Sequence, residues 1–362
     1  MIKKYYSDID VVTAAKERIK NIFSSAPKVY LNVSGGKDSL VLHDITFKMC
    51  QSGIIDKSKL TVTFIDEEAI YPCCESLVKT MRLQWISLGV PFQWWCIECR
   101  HHNCFNMLTN DESFICWDRY KKDVWVRQKP SFALTTHPLL IERQDTYQDF
   151  LARLHKDGVA ISGVRVSESV QRRNYMGQTK NHAKLFPIYD FTDTDIWRYI
   201  RDNNLEIPDA YMFLYQTGAG KNQMRLSQFF SVDTARSLVN MCEYYPNLFE
   251  KICKREPNAY MAMLYFDTEM FRRKKRSMQT QDDKDINYKA KTLELLNNDA
   301  YFVSDTAKKE QKTYIQFVIR KSALLSEKNY KRIYYALVGG DPKLRELRAI
   351  GTDIVSDVYK ES

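Results

Sequence analysis

The sequence predicts an α/β protein: a parallel, twisted sheet flanked by helices over residues 1–205, then a mainly α-helical segment over residues 206–362. Three observations carry this expectation. Short apolar runs alternate with amphipathic helical patterns through the first half of the chain. One of those runs, Val29-Tyr30-Leu31-Asn32-Val33, passes through Ser34-Gly35-Gly36-Lys37-Asp38-Ser39 straight into a helical pattern. Beyond residue 205 the strand pattern fades and short helical patterns replace it.

The elements follow in order. Residues 10–23 predict a first helix, with Val11, Ala15, Ile19 and Ile22 or Phe23 on one face. The first strand ends at the Gly-Gly turn, and the next helix carries Leu42, Ile45 and Met49 at helical spacing. Residues 60–65 predict a second strand ending at Asp66-Glu67-Glu68, and residues 75–88 a helix with Leu77, Met81 and Trp85 in register. A third strand is expected at residues 91–95. Residues 96–140 read as an irregular, aromatic and cysteine-rich insertion. A helix is expected over residues 146–156 and a fourth, doubly buried strand over residues 159–164. A short fifth strand is expected near residues 185–188. Further on, residues 233–242, 247–254 and 258–266 predict short helices, residues 273–285 a polar loop, and residues 313–319 a strand within a helical remainder.

The turn after the first strand carries the clearest chemistry. Glycines let the backbone turn sharply and approach a ligand closely. Amides at a helix start face an anion, and the helix dipole favours negative charge there. Lys37 adds a point charge, and Ser34 and Ser39 add hydroxyl donors. The spacing differs from the Gly-x-x-x-x-Gly-Lys-[Ser/Thr] loop. In parallel sheets, ligands bind outside the carboxyl ends of the strands. That edge would hold the 34–39 loop, Asp66 after the second strand, Gly163 near the end of the fourth and Arg165 after it.

Composition narrows the class. At 362 residues and 44% hydrophobic content the chain can build a large α/β domain and a second domain. It lacks the long apolar run a transmembrane helix needs. Its start lacks an apolar signal core, so a cytoplasmic, reducing location is expected, with no membrane partner. The nine cysteines then read as free thiols or metal ligands rather than disulfides. Net charge is +9, from 54 basic and 45 acidic residues, which favours a polyanionic partner. The densest basic run, Arg272-Arg273-Lys274-Lys275-Arg276, suits either nucleic-acid phosphates or a solvated helix end.

Four blocks resemble the phosphoadenosine phosphosulfate (PAPS) reductase-like branch of the PP-loop superfamily. They are the 34–39 loop; Ile65-Asp66-Glu67-Glu68 with Tyr71-Pro72 and Glu75; Gly163-Val164-Arg165-Val166-Ser167-Glu168-Ser169; and Phe186-Pro187-Ile188-Tyr189-Asp190-Phe191-Thr192 with Asp195-Ile196-Trp197 and Tyr199. A narrower resemblance is to the uncharacterised IbrA-like group of bacteria and phages. Cys116-Trp117-Asp118, Trp125-Val126-Arg127 and Gln223-Met224-Arg225-Leu226-Ser227 carry it. The resemblance implies a Rossmann-like sheet of the PP-loop ATPase type, an adenine nucleotide (ATP or a PAPS-like sulfonucleotide) and Mg²⁺. It also implies attack on an α-phosphate with pyrophosphate held by the loop. A ParB/sulfiredoxin-like protein is the partner it suggests.

On that reading, Ser34, Gly35, Gly36, Lys37, Asp38 and Ser39 hold the phosphates, and Asp38 or Asp66 holds the metal or ribose. Asp38 would equally serve by fixing the loop. Arg165 would clamp phosphate or sulfate, or pair with Glu168 or Asp190. Arg172, Arg173, Lys180 and His182 are candidates to extend this basic wall. Thr192 and Asp195 form a capping-box pattern, and Trp197 is expected in the core.

Reductases of the family resemble one another in a Glu-Cys-Gly-[Ile/Leu]-His tail, and no cysteine follows Cys253 here. Cys242 and Cys253 are expected in the core, and Cys73-Cys74 as helix-start packing. Cys96, Cys99, Cys104 and Cys116, with His101 and His102 between them, offer metal-ligand spacing. Buried structural thiols are the favoured reading, and a zinc or iron–sulfur centre is not expected. Three functions remain open: ATP α–β cleavage with adenylyl transfer to an acceptor, sulfur chemistry on a sulfonucleotide through a non-tail cysteine such as Cys96 or Cys116, and a nucleotide-gated regulatory or nucleic-acid-binding subunit.

Overall fold

The strand β1 (Val29–Val33) is the middle of the sheet, and four of its five residues are buried. The protein is described as a computed structural model over residues 8–103, 113–168, 184–219, 224–226, 229–230, 237–265, 286–341 and 344–358. The described chain forms two compact units, Met1–Phe266 and Asp267–Ser362.

In the first unit, α1 (Val11–Ser25) is capped by Asp10, whose carboxylate accepts from the amides of Val12 and Thr13. After β1, the helix α2 (Lys37–Gln51) is buried on several sides through Leu40, Val41, Leu42, Ile45 and Met49. Then come β2 (Leu60–Ile65), α3 (Pro72–Ser87), β3 (Phe92–Trp95), α4 (Tyr147–Leu154), β6 (Val159–Ser162) and β7 (Lys184–Leu185). A two-stranded antiparallel hairpin, β4 (Arg100–His102) and β5 (Ser113–Ile115), stands apart from the main sheet. The main sheet has the order β3-β2-β1-β6-β7, and every pair in it is parallel.

This order places the site. From β1 the chain moves outward to β2 and β3, then returns to place β6 on the other side of β1. The carboxyl ends of β1 and β6 therefore flank the point where the winding reverses, where open parallel sheets bind ligands. Gly163, just past β6, lies against the first turn of α2. A Cβ built on it would come within 2.8 Å of the Asp38 carbonyl and 2.9 Å of the Ser39 nitrogen. Only glycine lets these backbones meet.

Among the described residues, five helices complete the first unit: α5 (Asp193–Asp202), α6 (Ala210–Gln216), α7 (Leu238–Tyr244), α8 (Pro246–Arg255) and α9 (Asn258–Tyr265). Thr192 and Asp195 form the expected capping box on α5. Trp197 is half-buried, its ring edge-on to Tyr211 at 5.6 Å, rather than in the core. The division between units falls at residue 266, not at 205. The reason is packing: Tyr211, Phe213, Leu214, Phe229 and Ile252 are buried side chains of the first unit.

The second unit is helical: α10 (Tyr288–Leu296), α11 (Asp305–Lys321), α12 (Glu327–Gly339) and α13 (Arg345–Val358). The strand expected at residues 313–319 lies inside α11. Tyr314 and Val318 are four apart and both buried, so the apolar period is helical, and Ser304 caps the helix start. Asp341 accepts from Tyr314 Oη at 2.8 Å and from the Arg345 and Glu346 amides at 2.9 Å, which caps α13. No described helix is long and apolar enough to cross a membrane.

Two buried histidines in the first unit make its stability pH-dependent. Burial pushes His43 down to about 4, and its Nδ1 accepts from Trp85 Nε1 at 3.0 Å. Burial likewise pushes His155 down to about 4, where it stacks on Tyr30 at 4.1 Å. The unfolded chain binds these protons near pH 6.5 and the folded unit does not. The contribution of these two histidines is therefore whole above pH 6.5 and falls as pH drops towards 4, by up to about 1.4 kcal/mol per pH unit for each histidine. Between pH 7.5 and 5, His155→Gln should flatten the pH dependence of the intact chain's urea midpoint by about one proton relative to wild type. An unchanged slope in that variant would refute the assignment.

Candidate functional site

The turn between β1 and α2 is built by Gly35, whose φ of +74° lies in the left-handed region. A Cβ there would press on Val78 Cγ2 at 3.2 Å and Cys74 Cβ at 3.3 Å. The Ser34 amide donates to Ser39 Oγ at 2.9 Å, which closes the turn. The amides of Asp38 and Ser39 fall in the first helical turn, where no intrahelical acceptor exists.

Lys37 is only 4% exposed. Its amide donates to Tyr211 Oη at 2.8 Å, and its Nζ donates to the Met224 carbonyl at 3.0 Å. The same Nζ lies 3.7 Å from Asp38 Oδ2. Burial holds the Lys37 ammonium below its usual range, partly offset by Asp38. Tyr211 and Met224 thus supply oxygen atoms where an anion would otherwise sit. No motif marked Tyr211 as part of the loop's surroundings; it follows Asp209-Ala210 in an ordinary helix start.

Arg165 is buried behind the loop, and its partners differ from those expected. It meets Asp38 (Nε to Oδ1, 2.8 Å) and Asp193 (Nη2 to Oδ1, 2.8 Å). Its Nη1 donates to Ser167 Oγ at 3.1 Å and to the Phe191 carbonyl at 3.3 Å. Asp190 pairs instead with Arg18 at 2.6 Å. The Arg165–Asp38 contact is an ion pair without hydrogen-bond alignment, since neither Arg165 Nε nor Asp38 Oδ1 has a hydrogen-bond partner. Arg165 therefore orients Asp38 and balances its charge beside the loop.

Asp66 departs furthest from its expected role. It is 1% exposed. Its Oδ2 accepts from Trp94 Nε1 at 3.0 Å, and its Oδ1 accepts from the Glu68 amide at 3.1 Å and from Arg127 Nη2. Both oxygens are committed within the protein, so Asp66 locks the end of β2 rather than facing a ligand. Arg127 also meets Glu75 at 2.5 Å and the Glu68 carbonyl at 2.9 Å. Glu68, at a φ of 64°, is fully buried and accepts from the Trp117 amide at 2.7 Å, the Val126 amide at 3.3 Å and Arg255 Nε at 2.8 Å. Arg255 was findable. It continues the Leu248, Phe249, Ile252 stripe of α8, and a charge on a core stripe signals a buried partner.

The cysteines separate into groups. Cys74 packs against Gly35, and hydrogen bonding from Cys74 lowers the Cys73 thiol to about 7. Burial raises the Cys96 thiol. Cys242 is exposed and Cys253 half-buried, so neither is the core residue expected from the apolar pattern around it. The insertion brings Cys99, His101 and Cys116 together, with one ligand atom of each within 4.8 Å of the others. Cys96, Cys99 and Cys116 are buried as expected, but this grouping leaves the expectation against a zinc or iron–sulfur centre without support. Cys96 is not in the group, and Cys104, Arg172, Arg173, Lys180, His182 and the 272–276 basic run lie outside the described residues.

The Glu68–Arg255 pair gives a direct test. Arg255→Leu leaves a carboxylate buried without its guanidinium, a change that costs about 3–5 kcal/mol. A large fall in the urea midpoint of the intact chain is expected; a loss below about 1 kcal/mol would place the pair in a solvated setting.

Residues 28–218 match the family described as phosphoadenosine phosphosulfate reductase domain. The uncharacterised protein YbdN of Escherichia coli (strain K12) is 24% identical over 274 residues, which is 68% of this chain. The chain spans 65% of that relative's length. Among solved structures, a phosphoadenylyl-sulfate reductase from Candida auris in a phosphate complex aligns with a TM-score of 0.35 and 14% identity, over 63% of this chain and 98% of that one. The U34-tRNA thiolase NcsA of Methanococcus maripaludis, with its 4Fe–4S cluster, gives 0.32 and 11%, over 70% and 80%. An NH3-dependent NAD synthetase from Campylobacter jejuni, in complex with nitrate, gives 0.28 and 13%, over 70% and 92%. At these TM-scores the three likenesses carry no argument about chemistry. The family match, by contrast, spans the loop, both strand ends that flank it and α5, just over half of the chain, and the protein belongs to the PAPS reductase domain family of the PP-loop superfamily.

Proposed function

We propose that the first unit binds an adenine nucleotide with its terminal phosphates on the 34–39 loop and cleaves ATP between the α- and β-phosphates, passing AMP to an acceptor. One observation carries this reading. Where the winding reverses between β1 and β6, the left-handed Gly35, the first-turn amides of α2, Lys37 and the Arg165–Asp38 pair all converge. That is a donor-rich setting for a polyanion, and the loop sequence is the PP-loop form.

In the proposed step an acceptor oxygen attacks the α-phosphorus. The bond to the bridging oxygen of the β-phosphate breaks, and pyrophosphate leaves with the electron pair. Catalysis then rests on positioning and on charge stabilisation of the leaving group. Lys37 and the loop amides would supply donors. Mg²⁺ would neutralise the phosphates, with Asp38 the acid placed beside it. Because Lys37 Nζ and its amide already have protein partners, phosphate would displace the Met224 carbonyl and Tyr211 Oη.

A second reading has its own observation. Cys73, next to Cys74 on the loop's flank, has a thiol lowered to about 7. A sulfonucleotide enzyme would use this thiolate as nucleophile, rather than Cys96 or Cys116, whose thiols are raised by burial.

Calorimetry and product analysis by mass spectrometry separate the two. With ATP, Mg²⁺ and cell extract as acceptor source, AMP and pyrophosphate are expected. Lys37→Ala should weaken ATP binding by about 10- to 100-fold, the worth of a charge-assisted hydrogen bond, while Cys73→Ser leaves it unchanged. Sulfite released from PAPS with a thiol reductant, and lost in Cys73→Ser, would favour the second reading. Absence of binding to both nucleotides would overturn both.

A further inference from the structure

The insertion after β3 carries a cluster that the nucleotide reading does not use. β4 and β5 pair antiparallel with Arg100 opposite Ile115 and His101 opposite Phe114. Extending that register by one residue sets Cys99 opposite Cys116, and the Cys116 amide donates to the Cys99 carbonyl at 2.9 Å. Side chains alternate along a strand, so Cys99 and His101 share a face, and Cys116 reaches that same face from across the ladder. The hairpin thus gathers two thiols and one imidazole by register alone. One ligand atom of each lies within 4.8 Å of the others.

We infer that Cys99, His101 and Cys116 bind a single zinc-class metal ion. The donor set is the first argument. Two thiolates and an imidazole suit Zn²⁺ and similar borderline-soft ions, not Mg²⁺ or Ca²⁺, which take oxygen. The spacing is the second. Around a tetrahedral zinc with Zn–S bonds of about 2.3 Å, ligand atoms stand roughly 3.5–4 Å apart. A spread within 4.8 Å needs only a small contraction to reach that. A 4Fe–4S cluster puts its cysteines on separate iron atoms and needs sulfurs farther apart.

The surroundings are the third argument. Cys99 and Cys116 are wholly buried, so an ion held between them would be shielded from water. Glu67 Oε1 stands 3.6 Å from the buried His101 Nε2, an arrangement that would leave Nδ1 as the ligand atom. A carboxylate beside the imidazole is the usual companion of a metal-bound histidine. Glu67 sits at the end of β2, and its carbonyl accepts from Cys116 Sγ at 3.5 Å, so the ion would tie the hairpin to the carboxyl edge of the sheet. Two thiolates would balance the charge of a divalent ion, and a tetrahedral ion keeps one further position beyond these three side chains.

The inference stands apart from the proposed function, since metal content is read without nucleotide. The intact chain, purified in reductant without chelator, should carry about one zinc per chain by elemental analysis. Metal removed with a strong chelator should be replaceable by Co²⁺, giving thiolate-to-cobalt charge-transfer absorption. Cys99→Ser with Cys116→Ser should abolish both signals, and Cys96→Ser should keep them. The cobalt spectrum is read on the wild-type chain, so it decides the question even if the double variant fails to fold. Reduced wild-type chain that takes up neither Zn²⁺ nor Co²⁺ would overturn the inference. So would iron with matching inorganic sulfide, or retention of the metal in a folded double variant.

Discussion

Buried carboxylates at the end of β2 hold the first unit together. Asp66 and Glu68 are each 1% exposed or less, and each is met by a buried guanidinium, from Arg127 and Arg255. A charge taken out of water costs several kcal/mol unless it is paired and fully hydrogen-bonded. Here that condition is met by groups far apart in the chain: the Trp94 indole on β3, the Trp117 and Val126 amides of the insertion, and Arg255 at the end of α8. The insertion and α8 must dock correctly for either carboxylate to be tolerated. The network thereby enforces one arrangement of segments that share little apolar patterning.

The same edge of the sheet explains why the 34–39 loop is so constrained. Gly163 brings β6 into backbone contact with α2, so the loop is fixed by its neighbours on both sides. Arg165 arrives from β6 with four protein partners and holds Asp38 in place. Lys37 is sealed by Tyr211 and by Met224, which come from chain beyond residue 205. The helical segment after the parallel sheet is therefore part of the site's wall, and the first compact unit runs on to residue 266 for this reason.

Much of this was legible in the chain. Five parallel strands, the helix cap at Thr192, and the loop at its strand–helix junction all follow from local patterns, because apolar period and capping chemistry act within a few residues. The strand expected at residues 313–319 failed because a β-rich composition, Thr313, Tyr314, Ile315, Phe317, Val318 and Ile319, sits on a helical period of buried residues. Burial against neighbouring helices outweighs the weak preference of single residues. Cys242 failed for the converse reason: an apolar neighbourhood in sequence does not say which face of a helix meets the core.

By itself, the sequence determined the class of fold, the loop and its helix, and the position of both at the carboxyl edge of a parallel sheet. These rest on short-range backbone chemistry that six or seven adjacent residues can specify. Only the tertiary structure decided which charges meet. It turned Asp66 from a ligand-facing acid into an interior lock, gave Arg165 to Asp38 and Asp193, put Tyr211 on the Lys37 amide, and selected Cys99, His101 and Cys116 from a longer run of candidates. The physical reason is that a buried charge or thiol is defined by its partners, and those partners come from strands and helices whose separation in sequence carries no record of their contact.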